Sequence, residues 1–588
     1  MTGTVAQAIG AALAAGGVTT VFGVAGSGNF HVTNALIGAG ARFVPARHEG
    51  GAVVMADAYA RITGQLGVLS VHQGPGLTNA MTGITEAAKS RTPLLILAAE
   101  ATSPLSNFHI DQPALARSVG ARSVRVGSAA AAAADTARAV SLAASGQTVL
   151  LNLPLDVQEQ LLPRGDDSFG VGPQCVSGGH PRTPVPPDAR PAASDPTGRA
   201  RVSGGAFGVN VTPAAQPAAA APESVAALAD ALAAADRPVF IAGRGARRAG
   251  QDLQELAERP GALLATSAVS RGLFRGHPWN LDVSGGFATP AAARLITGAD
   301  LIVGWGCALN MWTLRHGTLV GPDATVVQVD TDAGALGAHQ HADLGVVGDA
   351  GATARAALAE LERRGGPPGP GYRTPEVAAL LSQQGRWRDV PYQPAAEPGR
   401  IDPRTLTIAL DDLLPGERTV VVDSGNFMGY PSMFLDVPDA DGFVFTQAYQ
   451  SVGLGLAGAV GAAVARPDRL TVAACGDGGL LMGASELETV VRLGLDLAVV
   501  AYDDEAYGAE VHHFGPGGEP LDLVRFPPAD LAAIGRGFGF EAVTVRSESD
   551  LPSVGDWARG PRNRPLLIDA KVTQGVPSWW LEEAFRGH

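Results

Sequence analysis

A chain of 588 residues, 46% hydrophobic and 17% charged, exceeds the size at which one core stops growing, so three domains of ordinary size are expected. Its net charge of −14 excludes the basic footprint of a nucleic-acid binder, and no apolar run is long enough to span a bilayer. Three isolated cysteines, Cys175, Cys307 and Cys475, fit neither a disulfide framework nor a zinc site. The start, MTGTVAQAIGAALAAGGVTT, lacks the basic stretch and small-residue exit of a signal peptide. A soluble, cytoplasmic protein acting on small molecules is the expectation, with no membrane partner. The only lysines, Lys89 and Lys571, sit in no P-loop pattern and leave few candidates for a Schiff base.

From Val5 to about Leu162, helical patterns alternate with the short β-rich runs VTTVFGV, LGVLSV, PLLILAA and TVLLNLP, the mark of a parallel α/β sheet. This first unit is placed at 1–164. Residues 165–222 include PRTPVPPDARPAASDPTGRA, too rich in proline and small residues to build a core, and read as a linker. A second α/β unit, 223–365, runs from DRPVFIAGRGARRAG through DLIVGWG to ATVVQVDTD. The stretch RRGGPPGPGYR marks its end and leads into a second linker, placed at 366–400. The third unit, 401–588, carries RTVVVDSGN, RLTVAACGDGG, LAVVAYDD and PLLIDAKV. The predicted fold class is α/β, with three doubly wound parallel-sheet domains.

Within the third unit, RLTVAAC reads as a strand, GDGG as a turn, GASELETVVRLG as an amphipathic helix and LAVVAY as the next strand. A crossover between parallel strands brings their ends to one sheet edge, so Asp477 and Asp504 are expected close together. Ligands of open α/β sheets bind at that edge. Two hard carboxylate oxygens beside glycine amides at a helix start suit a magnesium ion bridging a diphosphate.

The stretch is similar to the thiamine-diphosphate motif that opens with GDG and closes with an Asn-Asn pair. Three further segments, ARHEGGAVVMADAYARITG, GPGLTNAMTGITEA and SVGLGLAGAVGAA, match companion motifs in the same order. Over nearly all of 1–160, 223–362 and 401–588 the chain thus resembles thiamine-diphosphate-dependent enzymes of the acetolactate synthase-like family. The resemblance implies a pyrimidine-binding first domain, a central domain and a diphosphate- and magnesium-binding third domain. It places Asp477, Asp504 and Ala506 around the metal. Gly476, Gly478, Gly479, Gly76, Asn79 and Val452, the last at the family's methionine position, would line the cofactor.

In the family, the glutamate at the position of Glu49 hydrogen-bonds N1′ of the cofactor's aminopyrimidine. It favours an imino tautomer whose N4′ can take the thiazolium C2 proton. The reaction implied is decarboxylation of a 2-oxo acid donor and transfer of its acyl unit to a carbonyl acceptor. Because the pyrimidine- and diphosphate-binding domains of one site come from different chains, a homodimer or homotetramer is implied. FAD in the central domain is an occupant the resemblance allows, since acetolactate synthases bind it and some relatives do not.

The chain departs from the family at Asp504, which stands where the second asparagine is usual and adds negative charge at the metal. Ser27 and His72 fall where benzoylformate decarboxylase carries its catalytic serine and histidine. They open the alternative of a simple 2-oxo acid decarboxylase or C–C lyase. His109 and Gln112, in NFHIDQPALARSV, are candidates to face the substrate, although the family's F-Q-E-x-D-Q register is altered there. His512 and His513 follow the metal loop, and Trp579 with Trp580 near the C-terminus reads as a packing or interface pair, with a substrate lid as the alternative role. A non-catalytic cofactor-binding scaffold is opposed by the intact Glu49, Asp477 and Asp504. A nicotinamide oxidoreductase is opposed by the missing G-x-G-x-x-G in the middle unit.

Overall fold

The computed structural model describes residues 3–162, 218–365 and 369–581. Most of the segment read as the first linker, with Cys175, lies outside them. The described chain forms three six-stranded sheets in which every paired strand is parallel. The first contains β1 (Thr20–Gly23), β2 (Arg42–Pro45), β3 (Gly67–Val71), β4 (Leu94–Glu100), β5 (Arg122–Arg125) and β6 (Thr148–Pro154). The second contains β7 (Pro238–Ala242), β8 (Leu263–Thr266), β9 (Asn280–Val283), β10 (Leu301–Trp305), β11 (Thr325–Asp330) and β12 (Leu344–Val347). The third contains β13 (Arg418–Val422), β14 (Phe443–Phe445), β15 (Leu470–Gly476), β16 (Leu497–Asp503), β17 (Glu541–Val545) and β18 (Leu566–Lys571).

The first and third sheets share one strand order, β2-β1-β3-β4-β6-β5 and β14-β13-β15-β16-β18-β17. Their central strands are continuous apolar runs buried on both faces, as in β16, LAVVAYD, because helices cover both sides of a parallel sheet. Each order reverses between the first and third strands of its unit, at β1/β3 and at β13/β15. Those are the switch points where α/β sheets open a crevice.

Two helices fuse the outer domains. Glu49–Thr63 starts after His48, whose ring nitrogen accepts from Gly50 N, and ends at Gly64 in the left-handed region (φ 68°). Nearly its whole circumference is buried, because it packs on the equally buried helix Gly455–Ala465. Small residues permit the close approach: a Cβ at Gly461 would lie 2.1 Å from the Met55 carbonyl oxygen.

Beside this pair, the buried Arg61 guanidinium bonds Asp57, Glu86, Ser90 Oγ and the Phe445 carbonyl. Glu86 also accepts from the Ala448 and Tyr449 amides. A charge in this setting is tolerated only because every partner is supplied.

The segment placed in the second linker is partly structured. Helix Pro375–Gln384, capped by Thr374, packs on Pro290–Thr297 of the central domain, and Trp387 is buried in the third domain's core. The proline- and glycine-rich composition around 366–371 hid an apolar set, Val377, Leu380 and Leu381, that completes the central core.

Candidate active site

The diphosphate-type half of the site lies at the β13/β15 switch point. β15 ends at Gly476, and Asp477 opens a short helix, Asp477–Met482, instead of the expected plain turn; a second helix begins at Glu486. Glycines let the backbone pack here without side chains. A Cβ at Gly476 would touch the Phe427 ring at 3.3 Å, one at Gly478 would lie 2.7 Å from the Tyr507 ring, and one at Gly479 would lie 2.6 Å from Asp423 Oδ2. Val452, partly exposed, stands 3.2 Å from that last position.

Asp423, at the end of β13, is buried and accepts the amides of Ser424, Gly453 and Leu454 at 2.8–3.1 Å. It ties the Val452 loop to the glycine turn. Burial, opposed by those amides, pushes its carboxyl up to about 6.

Asp477 and Asp504 face one another across adjacent strand ends. Burial and then the charge of Asp503 push Asp477 up to about 7, while burial and then the charge of Asp477 push Asp504 up to about 8. Asp503 is occupied differently, by the buried Lys571 ammonium. Asp504 Oδ1 accepts from Ala506 N at 3.3 Å, and Glu505 between them is in the left-handed region (φ 56°), a strained conformation of the kind found at functional sites. Among the described residues no group of three or more His, Cys, Asp or Glu side chains is arranged to hold a metal ion by itself. Two mutually repelling buried carboxylates beside an amide-rich turn fit one divalent cation that takes its other oxygens from backbone, water and a diphosphate.

The other half lies at the β1/β3 switch point. Glu49 is the first residue of its helix. Its Oε2 accepts from Asn79 Nδ2 at 3.1 Å, and Gly76 lies beside its Oε1, which a Cβ there would meet at 3.5 Å, an ordinary contact. Arg47 does not pair with Glu49; it reaches Glu488 of the third domain at 2.6 Å.

His72 Nδ1 accepts from Gly28 N at 3.2 Å, and its ring meets Phe108 edge-on at 5.3 Å. Ser27 is exposed between Gly26 and Gly28, whose backbone packs against His72 and Gln73. His109 is exposed and bonded to the Ala101 carbonyl at 2.9 Å. Gln112 is buried, with Nε2 spent on the Ala99 carbonyl and Oε1 without a hydrogen-bond partner among the described residues.

His512 lines a small cavity with Asp504, Ala506, Arg525 and Gln574. Trp580 is buried and donates to the Asn426 carbonyl, as does Ser578, while Trp579 packs on Trp387 and under Arg315. Sequence reasoning missed Asp423 and Glu486. Their signal was an acid closing the β-rich run VVVD and an acid at a helix start in ELET.

Twin α/β sheets, each with a crevice at the same switch point, one lined by acids and glycines, define an enzyme that takes a diphosphate-bearing cofactor. The chain belongs to the thiamine pyrophosphate enzymes: their N-terminal TPP binding domain matches residues 3–121, their central domain 225–357 and their C-terminal TPP binding domain 423–570. Within them it is acetolactate synthase-like. It is 28% identical to the acetolactate synthase large subunit of Parasynechococcus marenigrum, over 97% of this chain and 88% of that protein. It is 28% identical to the sulfoacetaldehyde acetyltransferase of Castellaniella defragrans, over 92% and 88%. It is 29% identical to a probable 2-ketoarginine decarboxylase of Pseudomonas aeruginosa, over 93% and 90%. Among the described residues no helix is long and apolar enough to cross a membrane.

Proposed function

We propose that the enzyme decarboxylates a 2-oxo acid and transfers the resulting acyl unit to a second carbonyl compound, as an acetolactate synthase does. The observation that carries the reading is the seat of Glu49, a carboxylate held by Asn79 over the Gly76 turn at the crevice equivalent to that of Asp477. Thiamine diphosphate, when bound, supplies the carbon nucleophile and electron sink that 2-oxo acid decarboxylation requires.

The chain's own groups do the rest. Glu49 donates or accepts a proton at its carboxyl toward the pyrimidine ring. Asp477, Asp504 and the Ala506 carbonyl would hold magnesium, which neutralises diphosphate charge. Gly476, Gly478, Gly479 and Val452 shape the cradle. Feeding 2-oxo acids with and without an aldehyde or ketone acceptor, and measuring carbon dioxide and ligated product, tests this. Failure of every 2-oxo acid to release carbon dioxide overturns it.

No hydrogen bond or ion pair among the described residues joins Glu49, His72 or Asn79 to Asp423, Asp477 or Asp504. The apolar Phe108, Leu481 and Met482 stand exposed around the two halves. A homodimer, or a tetramer of two such pairs, in which each chain lends one half to its partner accounts for both facts.

The decarboxylase reading rests on His72. Because Nδ1 accepts from Gly28, the neutral ring carries its N–H on Nε2, which has no hydrogen-bond partner among the described residues and would pass its proton to a product carbon while regaining one from water, with Ser27 alongside. His72→Ala is expected to slow aldehyde release more than ligation, since ligation ends in carbon attack and not protonation. Quantifying both products from one 2-oxo acid checks it: an unchanged ratio removes His72 from the chemistry.

The central domain faces a cavity of about 1800 Å³ where all three domains meet, lined by Arg61, Arg244, Asn310, Trp312, Asp330 and Gln447 among others. The Arg244 side chain makes no hydrogen bond or ion pair among the described residues, and burial pulls its guanidinium down to about 10. Gln447 Nε2 is buried and also lacks a hydrogen-bond partner among the described residues. An unbalanced cation and an orphan donor fit a phosphate-bearing nucleotide such as FAD. Titrating FAD and ADP while following flavin fluorescence and heat is expected to show binding that weakens at least ~10-fold in Arg244→Ala, the size of one lost charge-assisted hydrogen bond. Absence of binding by both nucleotides overturns this assignment.

A further inference from the structure

We infer that Glu486, from the diphosphate-binding domain, is a positioning residue for Glu49 of the same chain: its carboxylate pegs the turn that sets the direction of the Glu49 side chain. The inference rests on the catalytic reading of Glu49 above and assigns a task to a residue that reading leaves unused.

The turn between β2 and the helix Glu49–Thr63 is only three residues long, Ala46 to His48. Ala46 is tied back to β1 through its amide and the Gly23 carbonyl at 2.9 Å, but the side chains of Arg47 and His48 are exposed and pack nothing into the core. The third domain holds the turn through the Arg47–Glu488 pair, through Arg492 donating to the Pro45 carbonyl, and, at the two backbone amides next to Glu49, through one carboxylate. Glu486 accepts from Arg47 N at 3.1 and 3.3 Å and from His48 N at 3.0 Å, and Thr489 Oγ1 donates to its far oxygen at 2.6 Å.

Glu486 is 1% exposed, so these charge-assisted bonds act out of water, where they are strongest. The residue also opens its own helix, Glu486–Leu493, so its charge lies at the N-terminal ends of two helices at once, a position favoured by both dipoles. On the far side the fit is tight: a Cβ at Gly51 would stand 2.5 Å from Glu486 Oε1.

Glu49 follows His48 directly, and the direction of the first side chain of a helix is set by the backbone that enters it. A proton-transfer group must stay within hydrogen-bond reach of its target, and a displacement near 1 Å costs on the order of 100-fold. Loss of the peg therefore acts on the proton step and not on cofactor affinity, because the glycine turn and its acids remain.

The test uses the holoenzyme with thiamine diphosphate and magnesium. Glu486→Ala removes the acceptor from both backbone N–H groups. Gly51→Ala leaves Glu486 intact and pushes its carboxylate from outside, and the exchange of glycine for alanine does not weaken a helix. The readouts are hydrogen–deuterium exchange at the cofactor C2 position, cofactor Kd and thermal melting. Exchange is expected to slow about 10- to 100-fold in both variants, with Kd changed by no more than a few-fold.

Exchange at the wild-type rate in either folded variant, or slowing that disappears at saturating cofactor, overturns the inference. If Glu486→Ala does not fold, Gly51→Ala decides. Glu49→Gln serves as the control: if it leaves exchange unchanged, the catalytic reading of Glu49 fails, whereas slow exchange in Glu49→Gln with normal exchange in Gly51→Ala removes only the peg.

Discussion

Glu49→Gln is expected to lower turnover by ~10²- to 10⁴-fold, the usual contribution of a positioned acid–base group, equivalent to about 3–5 kcal/mol of lost transition-state stabilisation. Glutamine is isosteric and can still accept from Asn79, so the 3.1 Å contact, the fold and cofactor affinity should persist. What it cannot do is exchange a proton with a ring nitrogen. The loss should therefore appear in kcat and kcat/KM together. Near wild-type turnover in a folded, cofactor-loaded variant would show that Glu49 is not the proton-handling group.

The metal half of the site gives the other large effect. Asp477→Ala is expected to abolish magnesium-dependent retention of thiamine diphosphate, weakening it by more than ~100-fold, because losing even an outer partner of a metal ligand typically costs 10–100-fold. Asp504→Asn should retain the cofactor. It keeps a hard oxygen at the end of β16 and removes one of two charges that burial and Asp477 already disfavour. Equilibrium dialysis with and without a chelator measures both. Normal, chelator-resistant binding by Asp477→Ala would refute the metal assignment, and loss of binding in Asp504→Asn would show that the second negative charge is required.

The three sheets were legible because a buried parallel strand writes itself as an apolar run between helical periods: LLILAA, LTVAAC and LAVVAY became β4, β15 and β16. The acid pair was legible for a related reason. A crossover connection constrains both strand ends to one edge, so Asp477 and Asp504 could be brought together from spacing alone, and motif resemblance supplied Glu49, Gly76 and Asn79. These features depend on residues near one another in the chain or on topology common to all such sheets.

The tertiary structure decided what depends on domains meeting. Arg47, three residues upstream of Gly50 in an R-H-E segment, pairs with Glu488, and the amides beside it are bound by Glu486, 439 positions away. Gln112 turned its amide to β4 instead of leaving it free, and the segment after Gly371 became a helix once the central core offered an apolar groove. Periodicity and composition encode which face of an element seeks burial, but not which neighbour will supply it. Hydrogen bonds of buried polar groups are settled only when packing removes water and leaves one partner within reach.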